Sequence, residues 1–201
     1  MLATSALACE RGGLRLFSDL GFTVAPGQLL RVRGANGSGK TTLLRTLAGL
    51  TRPAAGAVRW RDQPLDEEYR SEMLFLGHAA AVKDDLTVLE NLQFSANLSG
   101  LKSAECRTAL ETLGVARLAD LPARYLSQGQ RKRAALARLA MSAAVPLWLL
   151  DEPFAALDDD AIAKLSALCG AHLAAGGLLV LTSHQEIPIT APAERAIELQ
   201  G

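Results

Sequence analysis

Leu29-Leu30-Arg31-Val32-Arg33-Gly34-Ala35-Asn36-Gly37-Ser38-Gly39-Lys40-Thr41-Thr42-Leu43-Leu44 is the stretch that decides the fold of this chain. It opens as an apolar run of strand length and closes as the start of a helix. Between them, Gly34 to Thr41 fit G-x-x-x-x-G-K-[ST] in full. Gly34, Gly37 and Gly39 carry no Cβ, so the backbone can take positive φ and turn N–H groups inward. Those N–H groups and the positive end of the following helix form a nest for an anion. Lys40 adds a point charge for β- and γ-phosphates, and Thr41 a hydroxyl for Mg²⁺. Ala35, Asn36, Ser38 and Thr42 complete the loop and helix start that wrap the phosphates. A strand, a phosphate loop and a helix in this order call for an α/β core with a parallel sheet.

Upstream, Met1 to Cys9 reads as a first strand, followed by Leu14 to Phe17 and Phe22 to Val24, with Pro26-Gly27 as a turn. Downstream, Thr41 to Ala48 is a helix closed by Gly49, Pro53 and Gly56 make a turn, and Ala57 to Trp60 and Met73 to Leu76 are strands. From about 84 to 140 the pattern becomes helical. Thr87 with Glu90 forms a capping box, Ser103 is placed to cap a second helix ending at Gly114, and Ser127 a third. Strands return at Leu147 to Leu150 and Leu178 to Leu181, flanking a helix from Asp158 to about Leu173, with Arg195 to Leu199 as a last edge strand. The expectation is one domain over 1–201: a parallel α/β core, a small antiparallel piece at the front and an inserted helical subdomain at about 84–140.

A second chemical signal lies at Val145 to Glu152, an apolar strand ending in two acids. A carboxylate at the carboxyl end of a parallel strand sits on the rim where ligands bind. Asp151 is therefore the candidate Mg²⁺ ligand with Thr41, and Glu152 the candidate group that polarises an attacking water.

Composition narrows the partners. Lys plus Arg number 21 and Asp plus Glu number 21, so no overall positive field favours nucleic acid. Cys9, Cys106 and Cys169 are far apart and form no C-x-x-C, which reads as reduced, buried thiols. The longest uncharged stretch, Leu165 to Gln185, is interrupted by Gly170, Gly176 and Gly177 and reads as helix, turn and strand rather than a membrane span.

Leu126-Ser127-Gln128-Gly129-Gln130 precedes a helix start and lies 24 residues before Asp151. A hydroxyl and backbone N–H groups at a helix N-terminus make a second anion site, and one chain does not need two sites for one γ-phosphate. The order phosphate loop, LSxGQ, apolar strand with Asp-Glu, Ala156-Leu157-Asp158, then His184 resembles the ATP-binding-cassette family over nearly the whole chain. That resemblance implies a P-loop ATPase that binds ATP and Mg²⁺ and works as a homodimer. It implies that Ser127 and Gly129 contact the γ-phosphate held by the other copy, that Asp158 lies in the loop linking the two sites, and that His184 senses the γ-phosphate. The catalytic set is then Glu152, His184 and Lys40.

Two positions depart from that pattern. Where a glutamine usually precedes the helical insertion stands His78, so the third Mg²⁺-linked group is an imidazole or is absent. Where an aromatic residue usually stacks on adenine stands Arg11, whose guanidinium can stack on a ring. Leu76-Gly77-His78 with Lys83, Leu86 to Leu92, LSQGQRKRAALARL, LLDEPFAALD and LTSHQ resemble the ATP-binding subunits of bacterial haem exporters of cytochrome c maturation. The resemblance implies a peripheral protein on the cytoplasmic face of the inner membrane, docked on integral membrane subunits. With no C-x-x-C-H and three scattered histidines, no stable haem site is expected in the chain itself. The alternatives are a transport ATPase for another substrate, or a DNA-repair or ribosome-associated cassette. The DNA-repair reading fits poorly, since Lys40 and Ser127 are 87 positions apart with no sustained heptads between them.

Overall fold

The computed structural model describes residues 1–200, and Gly201 lies outside the described residues. In chain order the elements are β1 (Leu2–Arg11), β2 (Leu14–Val24), β3 (Gln28–Gly34), α1 (Lys40–Leu47), β4 (Ala55–Trp60), β5 (Gln63–Pro64), α2 (Glu67–Ser71), β6 (Met73–Leu76), α3 (Val88–Leu98), α4 (Cys106–Thr112), α5 (Gln128–Met141), β7 (Leu147–Leu150), α6 (Asp159–Ala174), β8 (Leu178–Thr182) and β9 (Ala193–Leu199).

Five strands form a parallel sheet in the order β6-β7-β8-β3-β9. Its central strands are apolar without alternation because both faces are covered. Leu147 and Leu149 of β7 pack with Leu30, Val32, Leu43 and Leu44 on the α1 side. Trp148 and Leu150 pack with Leu136, Leu165 and Leu173 on the side of α5 and α6. A second sheet, β2-β1-β4-β5, is antiparallel and closes over the α1 side. The helices α3, α4 and α5 lie between β6 and β7 in sequence and share the apolar cluster of Leu92, Leu110 and Leu136.

Local signals account for most boundaries. Thr87 caps α3 with a complete capping box to Glu90, and Ser127 caps α5 with one to Gln130. Gly12-Gly13, both at positive φ, make the two-residue turn between β1 and β2. Other positions correct the sequence reading. Leu14 to Val24 is one strand rather than two, with Asp19 at φ 53° absorbing an irregularity in register. Ser103 caps nothing: it opens a 3₁₀ turn leading into α4, and its hydroxyl donates to Asn97 Oδ1 at 2.5 Å. The turn into β5 uses Arg61 and Asp62 at φ 49° and 66°, residues that do not announce a left-handed turn. All three cysteines are buried as small apolar side chains, and burial pushes each thiol pKa up, to about 12 at Cys169.

Candidate active site

The sheet order sets the site. β6, β7, β8 and β3 lie side by side and parallel, so their carboxyl ends form one row. That row presents His78 after β6, Asp151-Glu152 after β7, Thr182 and His184 at the end of β8, and Gly34 at the end of β3. Residues far apart in the chain meet there because each ends a neighbouring strand.

The phosphate loop arches as its glycines allow. Gly34 has φ 141°, and a Cβ there would meet Ser38 Oγ at 2.6 Å and Leu199 O at 2.7 Å. Gly39, at φ 98°, begins α1 without any side-chain cap, so the first-turn N–H groups stay free for an anion. Lys40 Nζ donates to Gly34 O at 2.7 Å and Ala35 O at 3.0 Å, folding back over the loop. Ser38 Oγ is buried with no hydrogen-bond partner.

A short chain of hydroxyls and carboxylate fixes the acids. Thr41 Oγ1 donates to Asp151 Oδ2 at 2.8 Å, and Thr182 Oγ1 donates to Asp151 Oδ1 at 2.8 Å. The Glu152 N–H donates to the same Thr182 oxygen at 2.8 Å. Glu152 takes a left-handed backbone, φ 49°, which that bond steadies. Its Oε1 is buried without a hydrogen-bond partner and faces His184 Nε2 at 3.4 Å. One hydroxyl and one carboxylate side by side suit a Mg²⁺ ion whose remaining ligands are phosphate and water. Among the described residues no group of three His, Cys, Asp or Glu forms a closed metal cage.

A cleft of about 490 Å³ gathers the phosphate loop with Arg11, His78, Asp151, Glu152 and His184. Ser127, Gly129 and Asp158 do not line it. Ser127 is exposed and accepts from Gln130 N at 3.2 Å. Gly129 packs so closely on the loop after β7 that a Cβ would stand 2.8 Å from Ala156 O. Asp158 caps α6 through Ala161 N at 3.0 Å and pairs with Arg133 at 3.3 Å. Of the basic run after LSQGQ, Arg131 is taken by Asp84 and Ala123 O and Arg133 by Asp158. Lys132 faces an apolar groove of about 420 Å³ that touches the site through Thr41, His78 and Asp151. Burial pushes the Lys132 pKa down, against the opposing pull of Asp151 and Glu152. The sequence reading missed Thr182; its one signal is a hydroxyl ending an otherwise apolar strand just before Ser183-His184.

Residues 17–155 match the family model described as ABC transporter. The cytochrome c biogenesis ATP-binding export protein CcmA of Aromatoleum aromaticum is 48% identical over 96% of this chain and 92% of its own length. Its counterpart in Methylococcus capsulatus is 49% identical over 94% of this chain and 93% of its own length. Among solved structures, an ATP-binding subunit of an ABC transporter superposes with a TM-score of 0.81 at 26% identity, covering 92% of this chain and 79% of that one. A dimeric bacterial ABC transporter cassette shares the fold, with a TM-score of 0.85 at 21% identity over 98% of this chain and 94% of that one.

Proposed function

The chain belongs to the ABC transporter family, and from that membership we propose that it is the ATP-hydrolysing subunit of a membrane complex delivering haem for c-type cytochrome biogenesis. The observation that carries the hydrolytic part is the Thr41–Asp151–Thr182 chain, which sets the Glu152 backbone and leaves Glu152 Oε1 buried and unbonded beside the phosphate loop. A carboxylate with a free oxygen at that point is suited to hold a water for attack on the γ-phosphorus.

Thr41 and Asp151 would hold Mg²⁺, which when bound would supply positive charge to the triphosphate. Lys40 exchanges the carbonyls of Gly34 and Ala35 for the phosphates, and the N–H groups from Gly37 to Thr42 cradle them. Glu152 orients the water and accepts its proton as the γ-phosphorus parts from the oxygen of ADP. His184 steadies the γ-phosphate end, and Arg11 at the rim stacks on the base. Ser127 and Gly129 of a second copy complete the centre, with Asp158 in the segment that links the two sites. Catalysis is then positioning and charge stabilisation, with no covalent intermediate on the protein.

The transport path belongs to separate integral membrane subunits. No helix among the described residues is long and apolar enough to cross a membrane. The groove beside the site has an apolar floor of Phe75, Leu76, Leu92 and Leu136, and it shares His78 and Asp151 with the nucleotide cleft. An apolar segment of a membrane subunit seated there would sense the site through His78. On this reading the chain sits peripherally, on the cytoplasmic face of the inner membrane. The haem reading rests on the GH-A-x-x-VK-x-x-LT stretch and on the names of the full-length relatives.

Glu152→Gln tests the chemistry. Turnover should fall at least about a hundredfold while ATP still binds, measured by phosphate release and by nucleotide titration. An unchanged rate removes Glu152 from the mechanism. An affinity pull-down from membranes tests the setting: recovery of haem-handling membrane proteins supports it, and recovery of other transporter subunits, ribosomes or DNA overturns it.

A further inference from the structure

His184 stands on a stretch, Ser183 to Pro192, that forms neither helix nor strand. Beneath its first turn lies a cleft of about 270 Å³ bounded by Arg31, Arg33, Gly34, His184 and Glu186. The turn therefore does not rest on packed side chains where it passes the end of β3. Two guanidinium groups bridge the gap instead. Arg31 is buried, with its side chain 8% exposed, and Nη2 donates to Ile187 O at 2.8 Å while Nε pairs with Glu194 Oε1 at 2.5 Å. Arg33, two residues on and so on the same face of β3, pairs with Glu186 Oε1 at 2.7 Å. The anchored residues Glu186 and Ile187 follow His184 by two and three positions. Ile187 itself and Ile189 beyond it are buried in the core, so the stretch is fixed at its far end.

A buried arginine is costly to keep, and one whose Nη1 has no hydrogen-bond partner is kept at additional cost. The planar fork holds the carbonyl and the carboxylate from separate N–H groups in a fixed geometry, which lysine's single point charge does not reproduce. The strand carrying both arginines ends at Gly34, where the phosphate loop begins. We propose that Arg31, assisted by Arg33, is a positioning residue that couples the phosphate loop to His184, holding the imidazole at its 3.4 Å distance from Glu152. The proposal rests on the reading of His184 given above.

The test is steady-state ATPase kinetics of the dimeric protein carrying Arg31→Met, Arg33→Gln and His184→Ala, singly and with each arginine variant combined with His184→Ala. Arg31→Met should lower kcat about tenfold and leave the KM for ATP within about twofold, because it displaces a group near the γ-phosphate and not the loop that binds it. Arg31→Lys should recover little of the loss. In the His184→Ala background the same change should cost less than about twofold further, since the group it positions is gone. Arg33→Gln, at a half-exposed site with no folding risk, should cost about threefold and show the same loss of effect; it decides the matter if Arg31→Met does not fold. Normal turnover in His184→Ala overturns the reading of His184 and this inference with it. An impaired His184→Ala beside arginine variants of normal rate, or losses that multiply, overturns the coupling alone.

Discussion

The backbone of Glu152 is held by a residue on another strand. The Thr182 hydroxyl serves two masters, donating to Asp151 and accepting from the Glu152 N–H, and it is fully buried. Thr182→Val keeps the shape and removes both bonds. It should cost about 1–3 kcal/mol of stability from the unpaired Glu152 N–H and Asp151 oxygen, and it should slow ATP turnover more than it weakens ATP binding. Denaturation midpoints and kcat against KM measure the two effects separately. His172 makes a different residue-scale case. Its ring stacks on Trp148 at 3.8 Å and lies against the Gly177 backbone, and burial pushes its pKa below the ordinary value. The folded state thus favours the neutral ring, whereas the unfolded chain takes a proton at about pH 6.5. The stability it contributes is present above that pH and is lost as pH falls through the lowered folded value. Denaturant midpoints should drop between pH 7.5 and 5.5, and His172→Phe should flatten that part of the curve.

At the scale of elements, legibility followed the presence of a side-chain signal. The helices α3 and α5 were readable because Thr87 with Glu90 and Ser127 with Gln130 close reciprocal capping bonds. The strands β7 and β8 were readable because burial on both faces leaves an unbroken apolar run. The helix α2 is five residues capped by Asp66, whose carboxylate accepts from the Tyr69 N–H, and is too short for any periodicity to show. Thr182 was missed for a related reason: a single hydroxyl ending a strand carries no spacing pattern, and only the pairing of β7 with β8 brings it to Asp151. Gly129 shows a position where two explanations share one residue. Its place in LSQGQ suggests a phosphate contact, yet its lack of a Cβ is already required by Ala156 O in the same chain. Gly129→Ala should therefore push α5 away from the loop carrying Ala155 and Ala156, costing about 1–3 kcal/mol by overpacking even in protein without nucleotide. Thermal unfolding of nucleotide-free protein isolates this effect from any loss of ATPase activity.

For the whole molecule, the part of the centre built from neighbouring strand ends stands assembled in one chain, and the LSQGQ part does not join it. The cleft holding Lys40, Asp151 and Glu152 leaves out Ser127 and Gly129, so a role for those two residues at a γ-phosphate requires a second copy. A twofold arrangement gives each dimer two centres, each drawing its phosphate loop from one copy and its LSQGQ turn from the other. Two inactive variants test this against a centre built within one chain. Lys40→Ala removes the phosphate charge. Ser127→Asp keeps a residue that caps helices as well as serine does, so α5 still starts in the same place, but sets a carboxylate against the incoming phosphate. Each variant alone forms only defective centres. When equal amounts are mixed and allowed to exchange, about half the dimers pair one variant with the other. Each such dimer concentrates both defects in one centre and leaves the second intact, so roughly a quarter of all centres regain native composition. The mixture should hydrolyse ATP at a rate approaching that fraction of the unmodified protein, whereas a centre completed within each chain would leave it as inactive as its parts.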